Sequence, residues 1–511
     1  MKGSKPEAVT AGWSLFALYS WPVSRELFET YLRDEARLGA PPDGAFTGAA
    51  GGAACGDLSR ISLVLDEGRV VDATFDAEGC GATRAATAAA VDLACGEAVL
   101  DAARVGVDEV DAAIGGLTPA KRHAAQLAAD ALHRVLAGAA ASGERLAPPA
   151  GDRVLVAMSG GVDSAVAALL ERECGAEVVG VTVKLWADPE TDGAKACCSP
   201  EAVVGARSLA HSLDIPHFTL DLEEEFRRRV VAGFVTGYAG GSTPNPCILC
   251  NGEVRIAAMI DLADRLGATH LVTGHYARIV DDGAGPLLAA ASDEAKDQSY
   301  MLAALPPPLL ERLRFPLTEL TKPEVREIAA RHDLAVARKP ESQDLCFLAG
   351  QGKREFLRRH GGLRDRDGAI VDRSGRPLGR HRGHHNFTVG QRRGLGVAAP
   401  EPLYVLGADA ATNTVTVGTR EELETTGICI RNAVLHRDGA RVDAVRLRYH
   451  SAALPASPMP GASVGRHDEL ELRLAEPAVG VAPGQTAALL CGNAIVGHGT
   501  IAAGINPPGY P

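Results

Sequence analysis

Several absences narrow the field before any motif is read. No run of 18 apolar residues occurs in the 511-residue chain, and its opening, MKGSKPEAV, has no apolar signal core. Membrane-spanning and secreted classes are therefore set aside, and a cytoplasmic protein without membrane contact is expected. Positive charge is short: the formal net charge is −12. That excludes a general polyanion binder and confines any nucleic-acid surface to a local patch. Aromatic residues make up only 4%, but apolar residues reach 46%, ample for buried cores. Cysteine numbers 11, an odd count with motif-like spacing in a long chain, so reduced thiols fit better than a disulfide framework. The length implies three or four domains.

What is present centres on Val154 to Ala168, VLVAMSGGVDSAVAA. The run Val154–Met158 has the length and β-branching of a buried parallel strand. It breaks at Ser159-Gly160-Gly161, and Asp163-Ser164 leads into an Ala-rich helical run. Two glycines between strand and helix let backbone N–H groups approach a ligand, and a helix start adds unpaired donors and the positive end of its dipole. Such a place binds phosphate. An ordinary βα turn is the plain alternative, but the hydroxyls of Ser159 and Ser164 flank the same loop. No Gly-Lys-Ser/Thr follows, which excludes the nucleoside triphosphate P-loop. SGGVDS resembles instead the PP-loop of ATP pyrophosphatases, which implies cleavage of ATP between its α and β phosphates and activation of a carbonyl oxygen by adenylation.

Ahead of this stretch, Arg60 to Phe75 alternates apolar and polar residues around Asp66-Glu67-Gly68, a hairpin signature. Helical segments are expected at Ala82–Cys95 and Pro119–Ala140. Cys55, in ACGD, and Cys80, in GCG, sit on glycine-flanked loops that leave sulfur accessible. Residues 1–146 resemble the IscU/NifU-type iron–sulfur scaffold domain, an α+β fold, through these loops and the helix KRHAAQLAADAL. The resemblance implies Cys55, Asp57, Cys80 and His123 as groups of a weak iron–sulfur site; Ala124 stands where the third cysteine of that family belongs. A labile cluster and a docking module for a sulfur donor are both open. Cys95 reads as a buried helical thiol, and 147–151, APPAG, as a linker.

From about 151 to 350 strands and helices alternate: strands at Val178–Leu185, His217–Leu222 and His270–Thr273, helices at Glu201–Leu213 and Glu223–Tyr238. The pattern predicts an α/β, doubly wound parallel sheet that binds its ligand at the carboxyl ends of the strands. Six motifs then follow in order: SGGVDS, STPNPCILCN (242–251), TGHY (273–276), KDQSY (296–300), ESQDLCF (341–347) and GQRRGLG (390–396). Together, over residues 152–505, they resemble the tRNA-specific 2-thiouridylase (MnmA) family. The resemblance implies that Ala157, Met158, Ser159, Gly160, Gly161, Val162, Asp163, Ser164, Val183 and Gly274 hold ATP, with Mg2+ on the phosphates. It implies Asn245, Pro246 and Cys247 against the target base, and His275, Lys296, Asp297 and Gln298 on tRNA. Cys250 and Cys346 would be the catalytic cysteines, Cys346 carrying transferable sulfur as a persulfide.

The chemistry calls for such groups: a pyrimidine C2 oxygen leaves only once adenylated, and sulfur must then arrive as a nucleophile. Cys247 occupies a position usually held by aspartate in that family and creates Cys247-x-x-Cys250. With Cys346, three thiolates could hold a 4Fe–4S cluster whose free iron binds sulfide; this route is placed ahead of a persulfide on Cys250 and Cys346, a disulfide pair, or structural zinc. Cys197-Cys198 is read as buried or capping rather than chelating. Cys174, Cys429 and Cys491 are read as core or surface thiols.

Lys353 to Arg393 carries 12 Lys and Arg against 4 Asp and Glu, a basic island suited to an anionic partner. It falls in an expected β-rich linking domain, 351–425. Short strands at Thr414–Val417, Arg441–Tyr449, Glu469–Leu474 and Thr486–Leu490 predict a C-terminal β-barrel, 426–511. By resemblance Arg448, Tyr449 and Gln485 contact tRNA. The expected activity is ATP-dependent 2-thiolation of the anticodon wobble uridine, an unpaired base that can be splayed into a pocket. Expected partners are the tRNA anticodon arm and a sulfur donor such as a cysteine desulfurase or relay protein. The alternatives are another PP-loop adenylating enzyme, or an iron–sulfur or sulfur carrier with a vestigial PP-loop.

Overall fold

The computed structural model describes residues 24–52, 56–188, 199–340, 345–348 and 350–505. The chain divides into two compact units, Met1–Gly138 and Ala139–Pro511, with the boundary inside the helix His123–Ala141. Among the described residues no helix is long and apolar enough to cross a membrane.

In the first unit a three-stranded antiparallel sheet, Phe46–Gly51, Leu58–Asp66 and Arg69–Glu78, is covered by helices. The expected hairpin forms at Glu67-Gly68, both at positive φ (47° and 80°), as a two-residue turn between right-twisted strands requires. The Ala-rich helix Gly81–Ala94 buries Ala85, Ala86, Ala89, Ala90 and Val91 completely. Small side chains permit that close approach, and Ile61, Leu63 and Phe75 fill the sheet side of the core.

The second unit is built on a five-stranded, all-parallel sheet in the order Leu313–Arg314, His270–Thr273, Arg153–Ala157, Glu177–Lys184, His217–Asp221. The chain leaves the central strand to build one side and returns to build the other. The switch point therefore lies at the carboxyl ends of Arg153–Ala157 and His270–Thr273. The helix Val162–Glu173 packs its alanines on Val154, Val156 and Val272.

The stretch read as a linker is not free chain. Leu146 and Ala147 are buried, their N–H groups donate to Arg265 O, and Arg153 Nη1 donates to Pro148 O at 2.7 Å.

A four-stranded sheet (Pro377–His381, Gly368–Val371, Thr414–Gly418, Tyr404–Asp409) follows, and then a larger antiparallel sheet whose path ends in Leu454–Pro455 and Gly465–Val479. A bridge between Ala456 and Leu474 draws those ends together, so the sheet curls. The hairpin Arg278–Asp281/Pro286–Ala289, from the middle of the chain, joins it by pairing with Ala494–Ile505. Of the expected strand Arg441–Tyr449 only Ala444–Arg446 pairs.

Candidate functional site

At the switch point the strand Arg153–Ala157 runs into Met158-Ser159-Gly160-Gly161, with Gly160 at φ 67°. Ser159 N–H donates to Ser164 Oγ at 3.1 Å, and Ser164 Oγ donates to Gly161 O at 3.1 Å, so the two serines pin the loop across the helix start. The first turn of Val162–Glu173 leaves N–H groups without intrahelical acceptors. Gly274 must be glycine: a Cβ there would stand 2.7 Å from Asp163 C and from Ser164 N.

A cavity of about 250 Å³ opens here. Of the residues expected at the nucleotide, Ala157, Met158, Ser159, Asp163, Ser164, Val183 and Gly274 line it. Gly160, Gly161 and Val162 belong to the same loop. His275, Gln298 and Cys346 line the same cavity. Cys346 is brought there by its neighbour: Phe347 is 1% exposed and wedges between Phe226, Phe234 and Phe356, with centroid distances of 5.7, 5.1 and 4.9 Å. The remaining residues of its motif, 341–344, lie outside the described residues.

Asn245-Pro246-Cys247 opens a helix. Asn245 Oδ1 accepts from the N–H of Cys247 and Ile248 at 3.2 and 3.4 Å, with Pro246 in the first turn. Cys250–Arg255 then continues as a π-helical stretch, a feature common at functional sites. Cys250 is 7% exposed within the aromatic cluster of Phe226, Phe234 and Phe347, against which Cys346 also packs. Burial, and secondarily a charge on Cys250, push the Cys247 thiol up to about 11.

Among the described residues no group of three His, Cys, Asp or Glu side chains is arranged to hold a metal ion. The expected three-thiolate set Cys247, Cys250 and Cys346 is not among such groups. Cys250 is withdrawn into protein, Cys247 is half-buried with its thiol held protonated, and Cys346 lines the cavity. These residues do not fit a 4Fe–4S cluster in this arrangement.

His275 Nε2 faces Arg255 Nη2 at 3.1 Å, and its Nδ1 lies 2.8 Å from Thr273 Oγ1. The imidazole thus accepts from the guanidinium and carries its proton on Nδ1. Burial and the Arg255 charge lower its titration to about 3. Gln298 Oε1 accepts from Tyr276 N–H at 3.0 Å, and Tyr276 Oη donates to Asp163 at 3.0 Å.

Other residues expected on tRNA lie apart from this cavity. Asp297 is 5% exposed and accepts from Ser299 and from Arg446 at 2.5 Å. Lys296 shares its loop, Arg448 donates to Gly480 O, the tilted rings of Tyr449 and His450 have centroids 3.8 Å apart, and Gln485 Nε2 donates to Thr243 O at 2.6 Å. Within the basic island Arg359 forms two 3.0 Å bonds to buried Asp188 and serves structure, whereas Arg366, Arg380, Arg392 and Arg393 are exposed.

Sequence reading missed two lysines. Lys322, at the start of the helix Lys322–Arg331, donates to both oxygens of Asp163 at 2.7 Å, and Lys339 donates to Gly160 O at 2.8 Å. Only their place in a TKPEVR helix start and beside ESQDLCF marked them, and neither signal says what they touch. Asp163 is the one carboxylate among the described residues lining the cavity. Both of its oxygens are engaged by Lys322.

In the first unit, Asp57 accepts from Thr83 Oγ1 at 2.8 Å and from Cys80 N–H at 2.9 Å, and stands 3.3 Å from Cys80 Sγ and 3.5 Å from His123 Nε2. Cys80 caps the helix Gly81–Ala94. Burial raises its thiol, but hydrogen bonds from Thr83 outweigh this and leave it below the usual range. Ala124 is fully buried and only packs. Cys55 lies outside the described residues, so the fourth group of the expected set has no described position.

A glycine turn at the switch point of a parallel sheet, opening on a cavity with a cysteine on its wall, defines a nucleotide-using enzyme of the PP-loop class. Family models match as a tRNA methyl transferase HUP domain (152–350), its PRC-barrel domain (354–419), an aminomethyltransferase β-barrel domain (435–501) and a NifU-like N-terminal domain (33–141). A bifunctional protein NifU/MnmA from Rubrobacter xylanophilus is 46% identical over 92% of this chain and 96% of its own length. The tRNA-specific 2-thiouridylases of Syntrophotalea carbinolica and Sorangium cellulosum are 44% and 43% identical over 68% and 72% of this chain, and 98% and 96% of theirs. The chain belongs to the tRNA-specific 2-thiouridylase family, in the form that carries a NifU-like domain ahead of the enzyme.

Proposed function

We propose that this chain is a cytoplasmic, ATP-dependent tRNA sulfurtransferase that converts the anticodon wobble uridine to 2-thiouridine. The uridine C2 oxygen attacks the α-phosphate of ATP, and pyrophosphate leaves into the glycine turn, accompanied by Mg2+. The terminal sulfur of a persulfide on Cys346 attacks C2, and AMP departs with the oxygen. Thiolate attack by Cys250 on Cys346 Sγ then frees the thiouridine and leaves a Cys250–Cys346 disulfide, which an external thiol resets. No step is routed through an iron–sulfur cluster. The observation that carries this reading is Cys346 on the wall of the same cavity as Ser159 and Gly274.

The exposed arginines of the island and the loops bearing Lys296, Arg448 and Tyr449 are the proposed contacts for the anticodon arm, with affinity falling as salt rises. The NifU-like unit is the proposed docking place for the sulfur donor, a cysteine desulfurase or relay protein; Asp57, Cys80 and His123 would contribute to any weak iron–sulfur site there. The test combines tRNA-dependent ATP–pyrophosphate exchange with mass spectrometry of tRNA nucleosides. Cys346→Ser is expected to keep the exchange within about threefold and to yield no 2-thiouridine. Unchanged 2-thiouridine in a strain lacking the gene rejects the reading.

A further inference from the structure

Arg255 ends the π-helical stretch that begins at Cys250 and lines the cavity of the glycine turn. It is the one cation among the described residues that does so. Its Nη2 donates to Asn251 Oδ1 at 2.6 Å and to His275 Nε2 at 3.1 Å, while its Nε is buried with no hydrogen-bond partner. Both partners are neutral, and no carboxylate among the described residues forms an ion pair with it. A guanidinium held this way is costly unless an anion completes the site.

Position identifies the anion. Arg255 belongs to the helix that carries Cys247 and Cys250, and its charge acts on the Cys247 thiol. It therefore stands on the side proposed for the base and lines the same cavity as Ser159 and Ser164. The phosphorus joined to both the base oxygen and the departing pyrophosphate must lie within reach of both. Resting on the reaction proposed above, we infer that Arg255 binds the α-phosphate of the nucleotide and keeps hold of it in the adenylated uridine.

The test uses the full-length chain and compares adenosine with AMP, which differ only in that phosphate. Arg255→Gln is expected to weaken AMP roughly 10- to 100-fold, the range of a charge-assisted hydrogen bond, and to leave adenosine within about twofold. Arg255→Lys, which keeps a point charge without the planar fork, is expected to fall between. Unchanged AMP affinity, or equal losses for AMP and adenosine, overturns the assignment, the second result marking a merely structural role. If the Gln variant does not fold, the Lys variant decides: a selective loss of AMP affinity supports the site, and no selective loss removes it. Wild-type protein that binds neither compound removes the nucleotide reading itself.

Discussion

The close approach of Gly274 to the PP-loop helix gives the sharpest perturbation. In Gly274→Ala the new methyl group would sit 2.7 Å from two backbone atoms, Asp163 C and Ser164 N. Reaching an ordinary contact of about 3.5 Å needs about 0.8 Å of separation between strand end and helix start. Neither side yields easily, because Lys322 holds Asp163 and Ser159 holds Ser164. The strain should cost about 1–3 kcal/mol, and a displacement near 1 Å at the phosphate site can cost about 100-fold in rate. Gly205→Ala is the control: it lies in the helix Pro200–Ser212 with nothing within 4 Å of its added Cβ. It should gain up to about 1 kcal/mol through helix propensity. Urea unfolding and tRNA-dependent AMP release read both variants. Gly274→Ala with wild-type midpoint and turnover within threefold would refute the argument that this glycine is there for space.

Two further outcomes follow from charges in the second unit. Lys322→Met leaves Asp163 without its ion pair; because the aspartate side chain is 32% exposed, solvent screening holds the cost to about 1–3 kcal/mol. The double variant with Asp163→Asn should recover stability but not ATP turnover, and a single variant with unchanged midpoint would count against the pair. His275, His436 and His498 titrate near 3, 4 and 4 because they are buried, so the unfolded chain takes up their protons first. Their contribution is complete above about pH 6.5 and is lost as pH falls toward 4, at about 1.4 kcal/mol per unit per histidine. Denaturant midpoints at pH 7 and pH 5 test this, and His436→Gln should flatten the difference.

What could be read from the chain was whatever rests on local periodicity or on motif chemistry. Alternation around Asp66-Glu67-Gly68 announces a hairpin in the first unit, and VLVAMSGGVDS announces a strand, a turn and a helix whatever else surrounds them. The gathering of Ser159, Gly274, Gln298 and Cys346 was legible only because six motifs recur in one order, since nothing local links residues nearly 190 apart. The hairpin at 278–289 was not legible, because it joins its sheet by pairing Ala289 with Ala494, 205 positions later (494 − 289). Nor was the π-helical stretch, whose sequence CNGEVR has ordinary helical character. Asp297 could be placed in a motif but its partners could not be read: its carboxylate accepts from Arg446 and from the N–H of Ser299.

The same distinction governs the CxxC at Cys247 and Cys250. Spacing alone suggests two thiolates on one helical turn, but burial acts on each sulfur separately. A Cys247 thiol pushed up to about 11 is almost wholly protonated at pH 7 and is a poor nucleophile and a poor ligand. It behaves as a small neutral side chain beside the Asn245 cap, so Cys247→Ser should retain 2-thiouridine formation within about threefold, and iron content should not follow the substitution. Cys250→Ser, by contrast, should stop turnover after adenylation, because that sulfur has no substitute in resolving the bond to Cys346. If Cys247→Ser instead abolishes thiolation and removes stoichiometric iron from anaerobically purified protein, three thiolates do act together, and the helix must unwind from the aromatic cluster to let them.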